Sequence, residues 1–172
     1  GGAIDADAAD KAARFVRMCA AHGLALVSLC DTPGFMVGPE AERTAQVRRM
    51  AQLFIECAAL KRPPLVVVLR KGYGLGAMAM AGGDFGDTGF TIAWPSGEFG
   101  GMGIEGAVRL AYRKELGAIT DPVYRQAEFD RRVAELYAHG QALNMAAMLE
   151  IDAVIDPAQT RRWIIRGLES MA

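Results

Sequence analysis

Residues 65–86 read LVVVLRKGYGLGAMAMAGGDFG, and this stretch leaves the chain little conformational choice. Leu65 to Arg70 is a β-branched apolar run, which predicts a strand buried on both faces. Gly72, Gly74 and Gly76 follow at every second position, and small residues continue to Gly82-Gly83. The pattern predicts a tight glycine turn and then a short helix from about Gly76 to Met80. A helix that starts directly from a strand end presents backbone N–H groups with no intrahelical acceptor, aided by the helix dipole. Glycine and alanine let an anion approach such amides closely. Two readings stand on local pattern alone. Tyr73, Gly74, Leu75, Gly76 and Ala77 form an anion-holding turn, or they form a strand-to-helix turn whose small residues serve packing.

The flanking segments repeat the alternation. Ala12, Phe15, Val16, Cys19 and Ala20 share one face, which predicts a helix over 7–22 stopped by Gly23. The run 24–30 predicts a second buried strand, closed by Asp31-Thr32-Pro33-Gly34. A helix is expected from Gly38-Pro39-Glu40 along Val47, Met50, Ala51, Phe54 and Ala58 to Pro63-Pro64. Residues 90–94 predict a third strand and 104–116 a helix. Asp121-Pro122 and Asp156-Pro157 each look like an N-cap followed by a first-turn proline. Strand and helix at this spacing predict an α/β fold with a mainly parallel sheet. One domain is expected over 1–172, a length that suits a single core.

Composition narrows the chemistry. A net charge of −1 offers no field to gather nucleic acid or an anionic membrane. No apolar run approaches the ~18 residues of a membrane span. Three cysteines without CxxC spacing read as buried thiols of a reducing compartment. His22 and His139 each precede a glycine at a predicted helix end, where they suit the last carbonyls. Only three serines occur, none in a nucleophile elbow, and no residues have metal-ligand spacing. Any site must therefore work mainly with backbone. The chain opens on Gly-Gly rather than Met, which is expected of an internal segment of a longer protein.

Two nucleotide motifs fail. Gly72-x-Gly74-x-x-Ala77 imitates a dinucleotide fingerprint, but Gly82-Gly83 cuts the helix short, and Pro95 displaces the acid Glu98 from a strand end. Asp31-x-x-Gly34 imitates a GTPase loop, but no Gly-Lys-Ser or Gly-Lys-Thr accompanies it.

Four segments occur in one order: CDTPGFMVGPEAE, VVLRKGYGLGAMAMAGG, AWPSGEFGGMGIEGAV and IDAVIDPAQTRRWI. Together they resemble the C-terminal half of the carboxyltransferase (beta) subunit of biotin-dependent acyl-CoA carboxylases, over essentially the whole chain. The resemblance implies a crotonase-like (ClpP-like) spiral of ββα turns. It implies transfer of a carboxyl group from carboxybiotin, held on a carrier domain, to the α-carbon of an acyl-CoA, with biotin as its own base and no metal in this segment. The matching oxyanion pair is Gly76-Ala77, with Tyr73, Gly74 and Leu75 beside it. Pro33-Gly34-Phe35 corresponds to a loop beside the biotin channel.

The implied partners are an N-terminal carboxyltransferase half that supplies the second oxyanion hole, together with biotin carrier and biotin carboxylase components. Also implied are assembly as a dimer-built hexamer, and a cytoplasmic or mitochondrial-matrix location without nucleic acid or membrane. Many short-chain members read RKAYGGAYDVM where this chain reads RKGYGLGAMAM. Met78 and Ala79 make that wall apolar and adaptable, which points to a longer or branched acyl group. The alternatives are another crotonase-superfamily enzyme, a hydratase or decarboxylase, with Glu98 and Glu105 as the acids, and a non-catalytic assembly module.

Overall fold

The protein is described from a computed structural model, over residues 1–171. The elements run α1 (Ala6–Ala21), β1 (Val27–Thr32), α2 (Pro39–Arg43), α3 (Gln46–Ala58), β2 (Leu65–Tyr73) and α4 (Gly74–Met80). They continue with β3 (Phe90–Ala93), β4 (Glu98–Gly100), α5 (Ile104–Ala111), α6 (Arg113–Ala118) and α7 (Pro122–His139). The chain ends on α8 (Ala142–Ala147), β5 (Ala153–Val154), a 3-10 turn (Pro157–Gln159) and α9 (Thr160–Ser170). The strand order is β1-β2-β3-β5, with β4 also on β2, and every ladder is parallel. This is the expected crotonase-like architecture.

Strand β2 is the axis, and its alternation explains its unbroken apolar sequence. Val66 and Val68 pack with Ala77 of α4 and its C-cap Ala81, and with Phe99, Ala142 and Ile151. Leu65 and Val67 face the other way, onto Phe90, Ile92 and Ile155, with Trp163 and Leu168 of α9 behind them. Both faces are covered over Leu65–Val68, so each of those positions is apolar. The two tryptophans are anchors: the Trp94 indole donates to Thr160 Oγ1 at 2.9 Å, and Trp163 meets Phe90 edge-on. Helices α1 and α3 pack through Ala13, Val16, Leu53 and Cys57, and Arg49 reaches Asp7 and Asp10 across their outer edge.

Several boundaries differ from the sequence pattern. The helix expected from Pro39 to Ala58 breaks at Ala45, which stands in the left-handed region (φ 55°), and becomes α2 and α3. The helix expected over 104–116 breaks at Tyr112. Strand β1 begins at Val27, not Leu24, and β2 continues to Tyr73. Strands β4 and β5 are only three and two residues long, and β4 carries glycine, so neither gives a periodic signal. Both Asp-Pro caps form: Asp121 accepts from the Val123 and Tyr124 amides, and Asp156 from the Ala158 amide, there opening a 3-10 turn.

The end of α7 is bound to β4 at close range. Phe99 donates its N–H to the Gly140 carbonyl at 2.8 Å, and a Cβ on Gly140 would lie 2.2 Å from the Phe99 carbonyl oxygen. Gly140→Ala is expected to destabilise the protein by about 1–3 kcal/mol through this backbone clash. Gly101→Ala, where a Cβ meets nothing within 4 Å, is the matched control. Denaturant midpoints of the two variants check this.

Candidate active site

Strand β2 changes partner along its length. Leu65–Val68 lie against Phe90–Ala93 of β3, whereas Lys71–Tyr73 lie against Glu98–Gly100 of β4. At the changeover the register with β1 slips between Cys30 and Thr32. A bulge of this kind frees backbone groups that must find partners. The Lys71 N–H donates to Asp31 Oδ1 at 3.1 Å, and the Ser96 hydroxyl donates to the Leu69 carbonyl at 2.6 Å. Arg70 holds the same Asp31 carboxylate with Nε and a terminal nitrogen, at 3.3 and 3.1 Å. That guanidinium, with the Lys71 amide, keeps the Asp31 carboxyl below its usual range. Asp31 thus serves the bulge.

Beyond the bulge, β2 passes into α4 without a loop. Tyr73 is the N-cap, extended at φ −110° and ψ 133°, and no side chain caps the helix. Gly74 turns the chain at φ +59°, a conformation that favours glycine. Gly74, Leu75 and Gly76 form the first turn, so their N–H groups have no intrahelical acceptor. Ala77 stands fourth, where the helix ladder begins. The pair Gly76-Ala77 therefore straddles the edge of the donor turn, and Leu75 belongs inside it.

The backbone of two neighbouring loops closes on this turn. A Cβ on Gly76 would lie 2.7 Å from the Gly34 Cα and 2.9 Å from the Phe35 nitrogen. A Cβ on Gly74 would lie 2.9 Å from the Gly101 carbonyl oxygen. The Gly34 loop is itself fixed. Thr32 Oγ1 accepts from the Gly34 N–H at 3.1 Å, and Ile4 brackets the loop with hydrogen bonds to the Gly34 carbonyl and from the Met36 amide. The packing and anion-holding readings of the glycines are therefore compatible: tight packing fixes where the free amides point.

The other candidates separate. The backbone of Gly34 and Phe35 borders the turn, but the half-buried Phe35 ring is 6.4 Å from that of Phe54, on the α3 side. The Leu75 side chain is exposed. Met78 lines a cavity of about 250 Å³ with Phe85, Phe99, Met145 and Ile151, together with Gly74, Gly101 and the carboxylates Asp84 and Glu150. Ala79 lies apart from it, buried against Ala13, Leu53 and Cys57. The Tyr73 ring is buried, and its hydroxyl donates to Glu98 Oε2 at 2.7 Å. Among the described residues no three His, Cys, Asp or Glu side chains come together as a metal site, and no helix is long and apolar enough to cross a membrane. The Gly101 contact and the Tyr73–Glu98 bond escape sequence reading because β4 leaves no periodic trace.

Comparison with known proteins gives a consistent set. The family model described as the carboxyl transferase domain matches residues 1–172. The chain is 39% identical to the methylmalonyl-CoA carboxyltransferase 12S subunit of Propionibacterium freudenreichii subsp. shermanii, over 99% of this chain and 32% of that protein. It is 35% identical to the biotin-dependent acetyl-/propionyl-coenzyme A carboxylase beta5 subunit of Mycobacterium leprae, over 97% of this chain and 31% of that protein. Among solved structures, a single-chain, multi-domain long-chain acyl-CoA carboxylase superposes with a TM-score of 0.85 at 58% identity, covering 96% of this chain and 16% of that one. The chain thus spans about a third of the length of the curated relatives it matches.

Asp31 yields a prediction with a defined sign. Its folded pKa lies below the unfolded value, so the stabilisation is present above ~pH 4 and is lost as pH falls through the folded pKa. Asp31 is about a third exposed, so screening limits the effect. Asp31→Asn is expected to cost about 0.5–1 kcal/mol at pH 7. The gap from the wild type should close as pH drops below ~4, read from denaturant unfolding across pH.

Proposed function

Because the chain belongs to the carboxyl transferase domain family, we propose that it forms the biotin-facing half of a carboxyltransferase site. That site moves a carboxyl group from carboxybiotin to the α-carbon of an acyl-CoA. The observation that carries this reading is the first turn of α4, whose amides have no side-chain cap and whose position is fixed by backbone on two sides. When bound, biotin supplies both the carboxyl group and the base. This accords with a turn that offers donors and no titrating side chain.

The chain's own work is electrostatic. Leu75 and Gly76, at the edge that Ala77 completes, present N–H groups to an oxyanion. Fixed donors of this kind need no reorganisation as negative charge develops. Gly34 and Phe35 border the turn through their backbone and, with Pro33 before them, shape the approach to it, with Gly74 and Tyr73 setting its start. The second oxyanion and most of the CoA contacts come from the part of the carboxyltransferase that relatives carry beyond the matched third. Biotin carrier and biotin carboxylase components complete the cycle. The assembly is a homo-oligomer, as hexamer assembly is described for the related transcarboxylase 12S, and it works in a bacterial cytoplasm or a mitochondrial matrix.

For the acyl group we favour a chain longer than propionyl. The long-chain acyl-CoA carboxylase relative is 58% identical, and Met78 opens onto a cavity walled by Phe85, Phe99, Met145 and Ile151, with Asp84 and Glu150 also on its lining. A hydratase reading has less support. Glu98 accepts from the Tyr73 hydroxyl and Glu105 from the Tyr137 hydroxyl, so each acid is engaged by a tyrosine.

The test uses the full-length carboxyltransferase carrying this chain, a carboxylated long-chain acyl-CoA and a free biotin derivative. Loss of the carboxyl group should require biotin; loss that ignores biotin contradicts the reading. Leu75→Pro removes one donor amide and is expected to lower the rate about 10²-fold, whereas Leu75→Ala keeps the amide and should lose far less. In competition, the wild type should prefer long-chain over acetyl-CoA, and Met78→Asp should shift that preference towards short chains.

A further inference from the structure

The tyrosine at the head of α4 points inward. Its backbone ends β2 opposite Gly100, while its ring is 3% exposed. Its hydroxyl donates to Glu98 Oε2 at 2.7 Å, and Glu98 sits on β4 in register with Lys71. A second tyrosine meets the same place from the helical layer: Tyr137 of α7 donates to Glu105 Oε1 of α5 at 3.0 Å. Burial first, then the Glu98 carboxylate and Tyr137, push the Tyr73 hydroxyl well above the ordinary tyrosine range. It stays protonated, and stays a donor, at any working pH.

The placement matters because three strand ends meet at α4. Gly76 touches the loop after β1, and Gly74 touches the Gly101 carbonyl just beyond β4. The Tyr73–Glu98 bond is the side-chain tie between β4 and the residue from which the donor turn starts. Glycines with no Cβ set how close the loops come, but they do not set the tilt of the turn. A part-buried hydrogen bond from the helix head to a residue of the neighbouring strand does.

We propose that Tyr73 is a positioning residue for carboxyl transfer: through Glu98 it holds the Leu75 and Gly76 amides at the angle at which they receive the oxyanion. Tyr137 and Glu105 brace the same junction from α7 and α5. This rests on the function proposed above, and it assigns Tyr73 a task without ligand contact.

The test compares Tyr73→Phe, Glu98→Gln and Glu98→Leu in the full-length carboxyltransferase, using biotin-dependent decarboxylation of a carboxylated acyl-CoA and amide hydrogen exchange of the peptide spanning 73–77. Tyr73→Phe keeps the ring and is expected to lower kcat roughly tenfold, as displaced donors do. The KM for acyl-CoA should stay within about twofold, because uniform binding is untouched. Exchange over 73–77 should speed up while the rest of β2 keeps its protection. The pH–rate profile should keep its shape around neutral pH, since a hydroxyl held above the ordinary tyrosine range contributes no limb there. Glu98→Gln retains an acceptor and should lose less than Glu98→Leu.

Wild-type kcat and exchange in Tyr73→Phe overturn the proposal. So does a loss of kcat accompanied by equal defects in the two Glu98 variants and general loss of protection, which marks a purely structural role. Disappearance of an alkaline limb in Tyr73→Phe also overturns it, because the hydroxyl would then act by titrating. If the wild type shows no biotin-dependent reaction, the functional reading fails, and exchange over 73–77 still decides the positioning claim.

Discussion

The rest of the site depends on one steric constraint: the first turn of α4 has backbone on both sides and no room for a Cβ on either. Gly34 and Phe35 close on Gly76, and Gly101 closes on Gly74. Like several helices of this chain, α4 starts without a side-chain cap. The surrounding peptide planes, rather than a Ser or Asp oxygen, fix the turn. A donor set made in this way carries no charge to titrate and no rotamer to freeze, which suits stabilisation of a transient oxyanion.

The bulge in β2 makes that closure possible. By changing from β3 to β4, the strand brings the ends of β1, β2 and β4 to one point. Such a switch exposes backbone groups that a continuous ladder would pair. Asp31 and Ser96 take up the Lys71 amide and the Leu69 carbonyl, and Arg70 holds Asp31 in place. Sequence chemistry at the bulge therefore has a structural cause, although an Asp after a strand and an Arg-Lys pair before glycines each suggest a ligand when read alone.

What the sequence displayed and what it concealed follow from contact range. The buried run of β2, the Asp-Pro caps and the glycine turn depend on neighbours in the chain, and all are readable. So is the family, because four ordered motifs survive. The break at Ala45 is set instead by the approach of α3, whose buried Gln46 amide donates to the Ile4 carbonyl 42 residues away. Strand β4 has no pattern of its own and exists because β2 offers it an edge. The inward turn of Tyr73 follows from β4, so a tyrosine that reads as a ligand contact proves to be a buried donor. Ala79, one residue beyond Met78, faces the α1–α3 core because 100° of helical rotation separates the two side chains.

The central claim is that the amides at the start of α4 receive the biotin oxygen. Its most direct test is a structure of the full-length carboxyltransferase with a biotin derivative bound, and the distance from the ureido oxygen to the Leu75 and Gly76 nitrogens. The account predicts about 2.7–3.2 Å to at least one of them, with the Gly34 loop unmoved. A ureido oxygen held elsewhere, with these amides facing the thioester or solvent, would contradict it.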